Sequence, residues 1–272
     1  MVNHIKLLAA AVQMNSGPDR DRNLEVADRL MRDAVQRGAQ LLSLPETFSF
    51  FGRTEEEKQV HRETIDGPTV TFLRSFAKQH GVWIIGGSVC LIANGDQKVT
   101  NSSLMIGDDG SIRARYDKIH LFDAVLGNRE PYRESDVVHP GHEPIVVDSP
   151  FGIIGLSICY DLRFPELYRR LTAMGAVILA IPSSFTHTTG KDHWELLVRV
   201  RAVENFCFVL APNQWGTHPG GRRTYGHSMI VEPWGTVSAQ CPEGEGIAVA
   251  ELDLSRVVRC RDMIPCLDHR VL

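Results

Sequence analysis

A single cysteine lies where a predicted strand ends and a polar turn begins. The apolar residues 155–158 lead to Cys159, and residues 160–166 (YDLRFPE) supply polar side chains and a proline before helical periodicity starts. A thiol placed between a strand end and a helix N-terminus can be activated for nucleophilic attack. An inert strand cysteine is the alternative, so other residues must supply the groups that activate this sulfur.

Three charged side chains also lie beside the ends of predicted strands, where functional groups are usually presented. Glu46 follows Pro45 among apolar residues, so we expect burial to raise its pKa and make it a general base. Lys118 follows another predicted strand, and Glu134 lies in a polar loop. Considered alone, each of the three has an ordinary explanation as a solvated surface charge.

A repeated pattern of helix, glycine and strand must position these side chains. Helical apolar periodicity ends at Gly38, Gly81 and Gly175, and an apolar run follows at 39–44, 82–85 and 176–181. Such units predict α/β layers. Two predicted hairpins, at 99–116 and 226–239, add antiparallel margins to the sheets. We therefore expect an α/β fold in one domain that spans residues 1–272.

The composition restricts the partners of this chain. Its 272 residues, 43% of them hydrophobic, can bury roughly three quarters of the unfolded surface. With 29 basic and 33 acidic residues and no basic tract, neither nucleic acid nor a membrane surface is expected as a partner. No signal peptide is apparent, so a cytoplasmic location is predicted. The six cysteines show neither disulfide nor zinc spacing, so no metal or other cofactor is expected.

In their order along the chain, these motifs resemble the carbon–nitrogen hydrolase (nitrilase) superfamily. The matching stretches are residues 44–48 (LPETF), 117–123 (DKIHLFD), 133–135 (RES), 159–166 (CYDLRFPE), 193–197 (HWELL) and 225–230 (YGHSMI). The resemblance covers essentially the whole chain. It implies a four-layer α-β-β-α sandwich, a Glu–Lys–Cys triad, and a homodimer or larger homo-oligomer formed through helices next to the nucleophile strand.

The resemblance also implies a role for each charged residue. Cys159 would be the nucleophile that carries the acyl group as a thioester, and Glu46 the general base and then acid. Lys118 would be the cation beside the developing oxyanion, and Glu134 an additional carboxylate that holds Lys118 and positions substrate or water. The backbone N–H of Tyr160 is predicted as a second oxyanion donor.

Within the superfamily, the chain resembles the Nit-type amidases. Residues 214–229 (QWGTHPGGRRTYGHSM) favour the branch that acts on deaminated glutathione, a small anionic amide in which a keto oxygen replaces the amino group. Arg222 and Arg223 are candidate partners for its carboxylates, with solvated loop charges as the alternative. Arg163 is another candidate carboxylate ligand, or else it forms an ion pair with Asp161 or Glu166.

Ser184 and Phe185 follow a predicted strand and are expected to line the pocket wall, although Phe185 could instead belong to the core. Two other functions remain open. An ω-amidase would act on the keto analogues of glutamine and asparagine. A nitrilase-like fold kept as a non-catalytic interaction module is an alternative of another class.

Overall fold

A computed structural model describes residues 5–93, 98–126 and 132–271. The strands in these ranges are β1 (Lys6–Gln13), β2 (Leu41–Ser43), β3 (Trp83–Ile85), β4 (Val89–Ile92), β5 (Val99–Ile106), β6 (Ile112–Asp117), β7 (Asp123–Ala124), β8 (Tyr132–Arg133), β9 (Ile145–Ser149), β10 (Gly152–Leu156), β11 (Ile178–Ala180), β12 (Phe208–Ala211), β13 (Trp215–Thr217), β14 (Arg223–Tyr225), β15 (Met229–Val231), β16 (Val237–Gln240) and β17 (Gly246–Asp253).

The helices in the same ranges are α1 (Arg20–Gln36), α2 (Glu57–Val60), α3 (Pro68–His80), α4 (Pro165–Ala173), α5 (His187–Asn205) and α6 (Ser255–Met263). Short 3₁₀ turns cover Glu134–Asp136, Cys159–Arg163 and Pro219–Gly221. None of these helices combines the length and the apolar character that crossing a membrane requires.

Two sheets form the centre of the described structure. The first has the order β17-β1-β2-β3-β5-β4, with β6 on β5, and the second has the order β16-β15-β12-β11-β10-β9. Pairing is parallel between β1, β2 and β3, and again between β10, β11 and β12. The outer strands pair antiparallel. The predicted combination of parallel centres and antiparallel margins is confirmed.

The two sheets pack face to face, and helices cover their outer faces. Along β1, Ala9 and Ala11 point into the core between the sheets, whereas Ala10 and Val12 pack towards α1 and α3. This alternation follows from the two-residue repeat of a strand that is buried on both faces. Helices α4 and α5 pack on the second sheet, where Trp194 is fully buried. The fold is the predicted four-layer α-β-β-α sandwich.

The glycines end the helices as the sequence predicts. Gly81 has φ 63°, a left-handed conformation that lets its N–H bond to the carbonyl of Ala77 and close α3. Two boundaries differ from expectation. The apolar periodicity predicted a helix that continues up to Gly175, but α4 ends at Ala173 and the apolar Met174 is 40% exposed. In the second hairpin, positive φ at Gly226 and His227 delays the strand to Met229.

Candidate active site

The predicted site residues come from the ends of strands in both sheets. Glu46 follows β2, Lys118 follows β6 directly, Cys159 follows β10, and Ser184 follows β11. A hydrogen bond joins segments from the two sheets: the backbone N–H of Ser184 donates to the Glu46 carboxylate at 2.9 Å. Glu134 reaches the same place from its 3₁₀ turn.

Cys159 occupies a sharp turn. Its φ of 46° lies in the left-handed region, which costs a residue with a side chain about 1–3 kcal/mol. Hydrogen bonds hold the turn in place: Cys159 N–H donates to the carbonyl of Pro182 at 2.9 Å, and Asp161 N–H donates to the carbonyl of Ile158 at 3.0 Å. The strained backbone therefore presents the sulfur just beyond the strand end.

Asp161, which the sequence analysis did not select as a site residue, links the cysteine turn to the lysine segment. Its Oδ2 accepts from Ile158 N–H at 2.8 Å and from the Tyr116 hydroxyl at 2.7 Å. Its Oδ1 accepts from His120 N–H at 3.1 Å and lies 2.7 Å from His120 Nδ1. One fully buried carboxylate thus holds the segments on both sides of Lys118 against the turn of Cys159.

Lys118, Glu46 and Glu134 form a buried ionic group, here called the catalytic cluster. Lys118 Nζ lies 2.9 Å from Glu46 Oε1 and 2.9 Å from Glu134 Oε2. The side chain of Lys118 is 2% exposed, and those of Glu46 and Glu134 are 4% and 5% exposed. Asn101, not selected from the sequence, donates its amide to both carboxylates, at 2.9 and 3.2 Å.

Ser184 fixes the other oxygen of Glu46. Its hydroxyl donates to Glu46 Oε2 at 2.5 Å, in addition to the bond from its backbone N–H. The sequence predicted Ser184 on the pocket wall, and the structure places it there while adding two bonds that orient Glu46. With Lys118 and Asn101 on Oε1, the carboxylate has four donors and a single orientation.

The protonation of the site differs from the sequence-based expectation. Burial alone would raise the pKa of Glu46, but Lys118, the hydrogen bonds from Ser184 and the charge of Lys58 outweigh it and lower the pKa to about 2. Likewise, burial lowers the pKa of Lys118, and the charges of Glu134 and Glu46 reverse this and raise it well above its usual value. The predicted rise in the pKa of Glu46 was wrong, because isolated burial was assumed.

The cysteine rests as a neutral thiol. Burial and the adjacent carboxylate of Glu46 raise the pKa of Cys159, and Lys118 opposes them only in part. Cys159 and Glu46 line the same pocket, and the charge of the carboxylate acts on the thiol. A protonated nucleophile beside an ionised carboxylate is the arrangement required for general-base activation at the moment of attack.

An open pocket of about 480 Å³ leads to the sulfur. Its lining includes Tyr160, Arg163, Ser184, Phe185 and Arg222, as well as Glu46, Lys118, Glu134 and Cys159. The structure therefore brings together every predicted site residue except Arg223. Arg223 is exposed on β14 and does not line this pocket. Arg222 lies in extended backbone just before β14, where successive side chains point in opposite directions, so one of the two consecutive arginines turns inward and the other outward.

Arg163 and Phe185 form one side of the pocket. The Arg163 guanidinium lies 5.1 Å from the centre of the Phe185 ring and 3.4 Å from Nδ1 of His193. Phe185 is 4% exposed and also packs against Trp194 at 5.2 Å, so it belongs to the core and to the pocket wall. The contacts of Arg163 are aromatic and imidazole groups, and not the alternative ion pair with Asp161 or Glu166.

A second ionic group lines the pocket and was not found from the sequence. Glu55 accepts from Lys58 and from Arg222. Arg222 lies 5.1 Å from the ring centres of Phe51 and Tyr132. Residues 54–58 (TEEEK) have the composition of an ordinary charged helix start, so no local signal distinguishes them. We call Glu55, Lys58 and Arg222 the outer cluster.

In the part of the chain that the structure describes, no group of three or more His, Cys, Asp or Glu side chains is arranged to hold a metal ion.

The layered fold and its pocket define an α/β enzyme with a buried cysteine beside a Glu–Lys–Glu ionic cluster. Residues 8–262 match the family model of the carbon–nitrogen hydrolases. A deaminated glutathione amidase from Synechocystis sp. is 43% identical over 267 residues, which cover 97% of this chain and 98% of that protein. This chain therefore belongs to the carbon–nitrogen hydrolase family and is an amide-hydrolysing enzyme.

Solved structures of nitrilase-type proteins have the same fold as this chain. The crystal structure of the C. elegans NitFhit protein matches with a TM-score of 0.93 at 39% identity, covering 100% of this chain and 66% of that one. The crystal structure of Saccharomyces cerevisiae Nit3, a member of branch 10 of the nitrilase superfamily, matches with a TM-score of 0.88 at 31% identity, covering 97% and 96% of the two chains.

Proposed function

We propose that this enzyme hydrolyses deaminated glutathione through a thioester on Cys159. The observation that supports this most directly is a neutral thiol beside the ionised Glu46, in a pocket that also carries three cations outside the catalytic cluster, Lys58, Arg163 and Arg222. The name of the Synechocystis relative supports the choice of amide. Hydrolysis would release 2-oxoglutarate and cysteinylglycine.

In the first half of the reaction, Glu46 takes the thiol proton as the sulfur of Cys159 attacks the amide carbonyl carbon. Negative charge moves to the carbonyl oxygen, and the Lys118 ammonium and the backbone N–H of Tyr160 stabilise it. Glu46 then gives the proton to the nitrogen, the carbon–nitrogen bond breaks, and the amine leaves. The 2-oxoglutaryl group remains on Cys159 as a thioester.

In the second half, Glu46 takes a proton from water as the water oxygen attacks the thioester carbonyl carbon. The carbon–sulfur bond breaks, the proton passes from Glu46 to the sulfur, and 2-oxoglutarate is released. Glu134 holds Lys118 in position through both steps, and Asn101 holds Glu46. The low pKa of Glu46 means that its proton affinity must rise transiently, which happens when the oxyanion draws on the charge of Lys118.

The ω-amidase alternative forms the same acyl-enzyme, because 2-oxoglutaramate differs only in its leaving group. We expect a higher kcat/KM for deaminated glutathione than for 2-oxoglutaramate, with Cys159→Ala as the inactive blank. A preference for the smaller amide would replace the proposed substrate. Turnover that persists in Cys159→Ala would reject the nucleophile, and no turnover of either amide would favour the non-catalytic interaction module.

We also infer that the enzyme forms a homodimer through α5. Its surface carries the exposed apolar residues Leu196, Val200 and Val203, next to Trp234. Leu196 is 62% exposed and Trp234 is 46% exposed, which favours burial against a second copy. Light scattering should give twice the chain mass of 30.3 kDa, and a monomer at micromolar concentration would contradict this.

A cytosolic location is part of the same proposal. All six cysteines have free thiols, including the nucleophile, and a reducing compartment keeps thiols in that state. Cell fractionation should recover the native enzyme with cytosolic markers, and recovery in a secreted or membrane fraction would contradict the assignment.

A further inference from the structure

The outer cluster has an unusual charge balance. Two cations, Lys58 and Arg222, share the single carboxylate of Glu55. The side chains of Lys58, Arg222 and Glu55 are 13%, 24% and 17% exposed, so water stabilises their charges only weakly. Within the outer cluster itself, positive charge exceeds negative charge by one. A ligand carboxylate at this position can therefore form charge-assisted hydrogen bonds with both cations.

The outer cluster belongs to the same cavity as the nucleophile. Lys58 and Arg222 line the pocket that contains Cys159, and both also line a second, smaller cavity. Lys58 is close enough to the catalytic cluster for its charge to act on Glu46 and for the charge of Glu134 to act on it. One extended substrate can therefore contact Lys58 while its amide carbonyl lies at Cys159.

The remaining cation of the pocket is placed differently. Arg163 lies in a solvent-accessible contact with His193, without a carboxylate partner among the described contacts. During turnover the amine must leave before water attacks, while the acyl group stays attached to Cys159. The amine side of the substrate therefore requires an open route, which favours the accessible side with Arg163. The acyl side then extends towards the enclosed outer cluster.

We propose that Lys58 is a specificity-determining residue that binds the carboxylate of the substrate's acyl portion, with Arg222 as the second donor. Glu55 holds both cations in place without neutralising both. The proposal rests on the proposed function, since it assigns the two carboxylates of an anionic amide to opposite sides of one pocket. It adds a residue, Lys58, whose position in the sequence gives no indication of this role.

Three substrates test the two carboxylates separately. Deaminated glutathione (2-oxoglutaryl-cysteinylglycine) has a carboxylate on each side of the cleaved bond. 2-Oxoglutaramate has one on the acyl side only, and butanoyl-cysteinylglycine has one on the amine side only. In Lys58→Met, we expect kcat/KM for the first two to fall about 10–100-fold more than for the third. Lys58→Arg should restore part of the loss, and Lys78→Met, the same change at an exposed site on α3, should match wild type.

Other outcomes overturn the proposal. An equal loss on all three substrates would mean that Lys58 serves the catalytic cluster, and no loss would remove it from substrate binding. A loss confined to the two substrates with an amine-side carboxylate would reverse the assignment of sides. Folding is checked by the melting temperature, and Lys58→Met leaves Glu55 paired with Arg222.

A binding measurement separates this proposal from the proposed function. In Cys159→Ala, calorimetry should detect 2-oxoglutarate, and adding Lys58→Met should weaken its binding about 10–100-fold. Unchanged binding would reject the role of Lys58 even if deaminated glutathione is the substrate. If Lys58→Met weakens the binding of 2-oxoglutarate but the wild-type enzyme prefers another amide, the role of Lys58 stands and only the proposed substrate is rejected.

Discussion

The two buried ionic groups of the pocket have opposite charge balances. In the catalytic cluster one ammonium, Lys118, serves two carboxylates, Glu46 and Glu134. In the outer cluster one carboxylate, Glu55, serves two cations. Each group is closely hydrogen-bonded, yet each keeps one formal charge unmatched. The unmatched carboxylate suits proton transfer, and the unmatched cation suits an anionic ligand.

The two groups also stand on different parts of the fold. Glu46, Lys118 and Cys159 follow strands of the two sheets and are locked by neighbours such as Asn101 and Ser184. The outer cluster comes from a loop, the one-turn helix α2 and the segment before β14. In the proposed function, chemistry would rely on the rigid sheets, and recognition on connections that tolerate change.

The largest expected effect is on the catalytic cluster. Glu46→Gln keeps the size of the side chain but removes the base, so kcat should fall about 10²–10⁴-fold. Intact-mass spectrometry should detect the 2-oxoglutaryl thioester on Cys159, because deacylation also needs the base. The exposed Glu25→Gln on α1 is the control. An unmodified mass alongside residual turnover would count against the covalent route.

The next effect concerns stability and tests the charge balance of the outer cluster. Burial would raise the pKa of Glu55, but Lys58 and Arg222 lower it to about 2. Since the folded pKa lies below the unfolded one, the carboxylate stabilises the fold above the ordinary pKa of 4.5, and this contribution is lost as pH falls towards 2. It amounts to roughly 3 kcal/mol at most.

Glu55→Gln should therefore lower the free energy of unfolding at pH 7, and the difference from wild type should shrink as the pH falls from about 5 to 3. Urea denaturation at several pH values measures both. Glu25→Gln again serves as the control. A difference that is independent of pH would show that the carboxylate charge of Glu55 is not what stabilises this wall of the pocket.

The smallest effect compares two consecutive arginines. Arg222→Met removes the surplus cation yet leaves Glu55 paired with Lys58, so the KM for deaminated glutathione should rise about 10–100-fold with little change in stability. Arg223→Met, at an exposed position outside the pocket, should stay within about twofold of wild type. A larger rise in KM for Arg223→Met than for Arg222→Met would show that Arg223, and not Arg222, binds the substrate.

The helices, the strands and their layering were largely predictable from the sequence. Gly81 and Gly175 mark helix ends because few other residues adopt the backbone conformation found there. Cys159, Glu46 and Lys118 could be selected because each lies beside a strand end and because their motifs, taken in order, resemble those of the carbon–nitrogen hydrolases. Asp161 and Asn101 could not, since nothing local distinguishes a buried polar residue that orients others from one that is solvated.

The sequence by itself determined which reactive groups exist, their order along the chain, and the periodicity that places them at strand ends. Tertiary structure alone decided the sign of the pKa shift of Glu46, the pairing of Glu55 with two cations, and which arginine faces the pocket. The physical reason is distance. Lys118 and Glu46 are 72 residues apart, and Arg222 and Glu55 are 167 apart, yet each pair is in direct contact. Charge interactions depend on separation in space, which local periodicity does not encode.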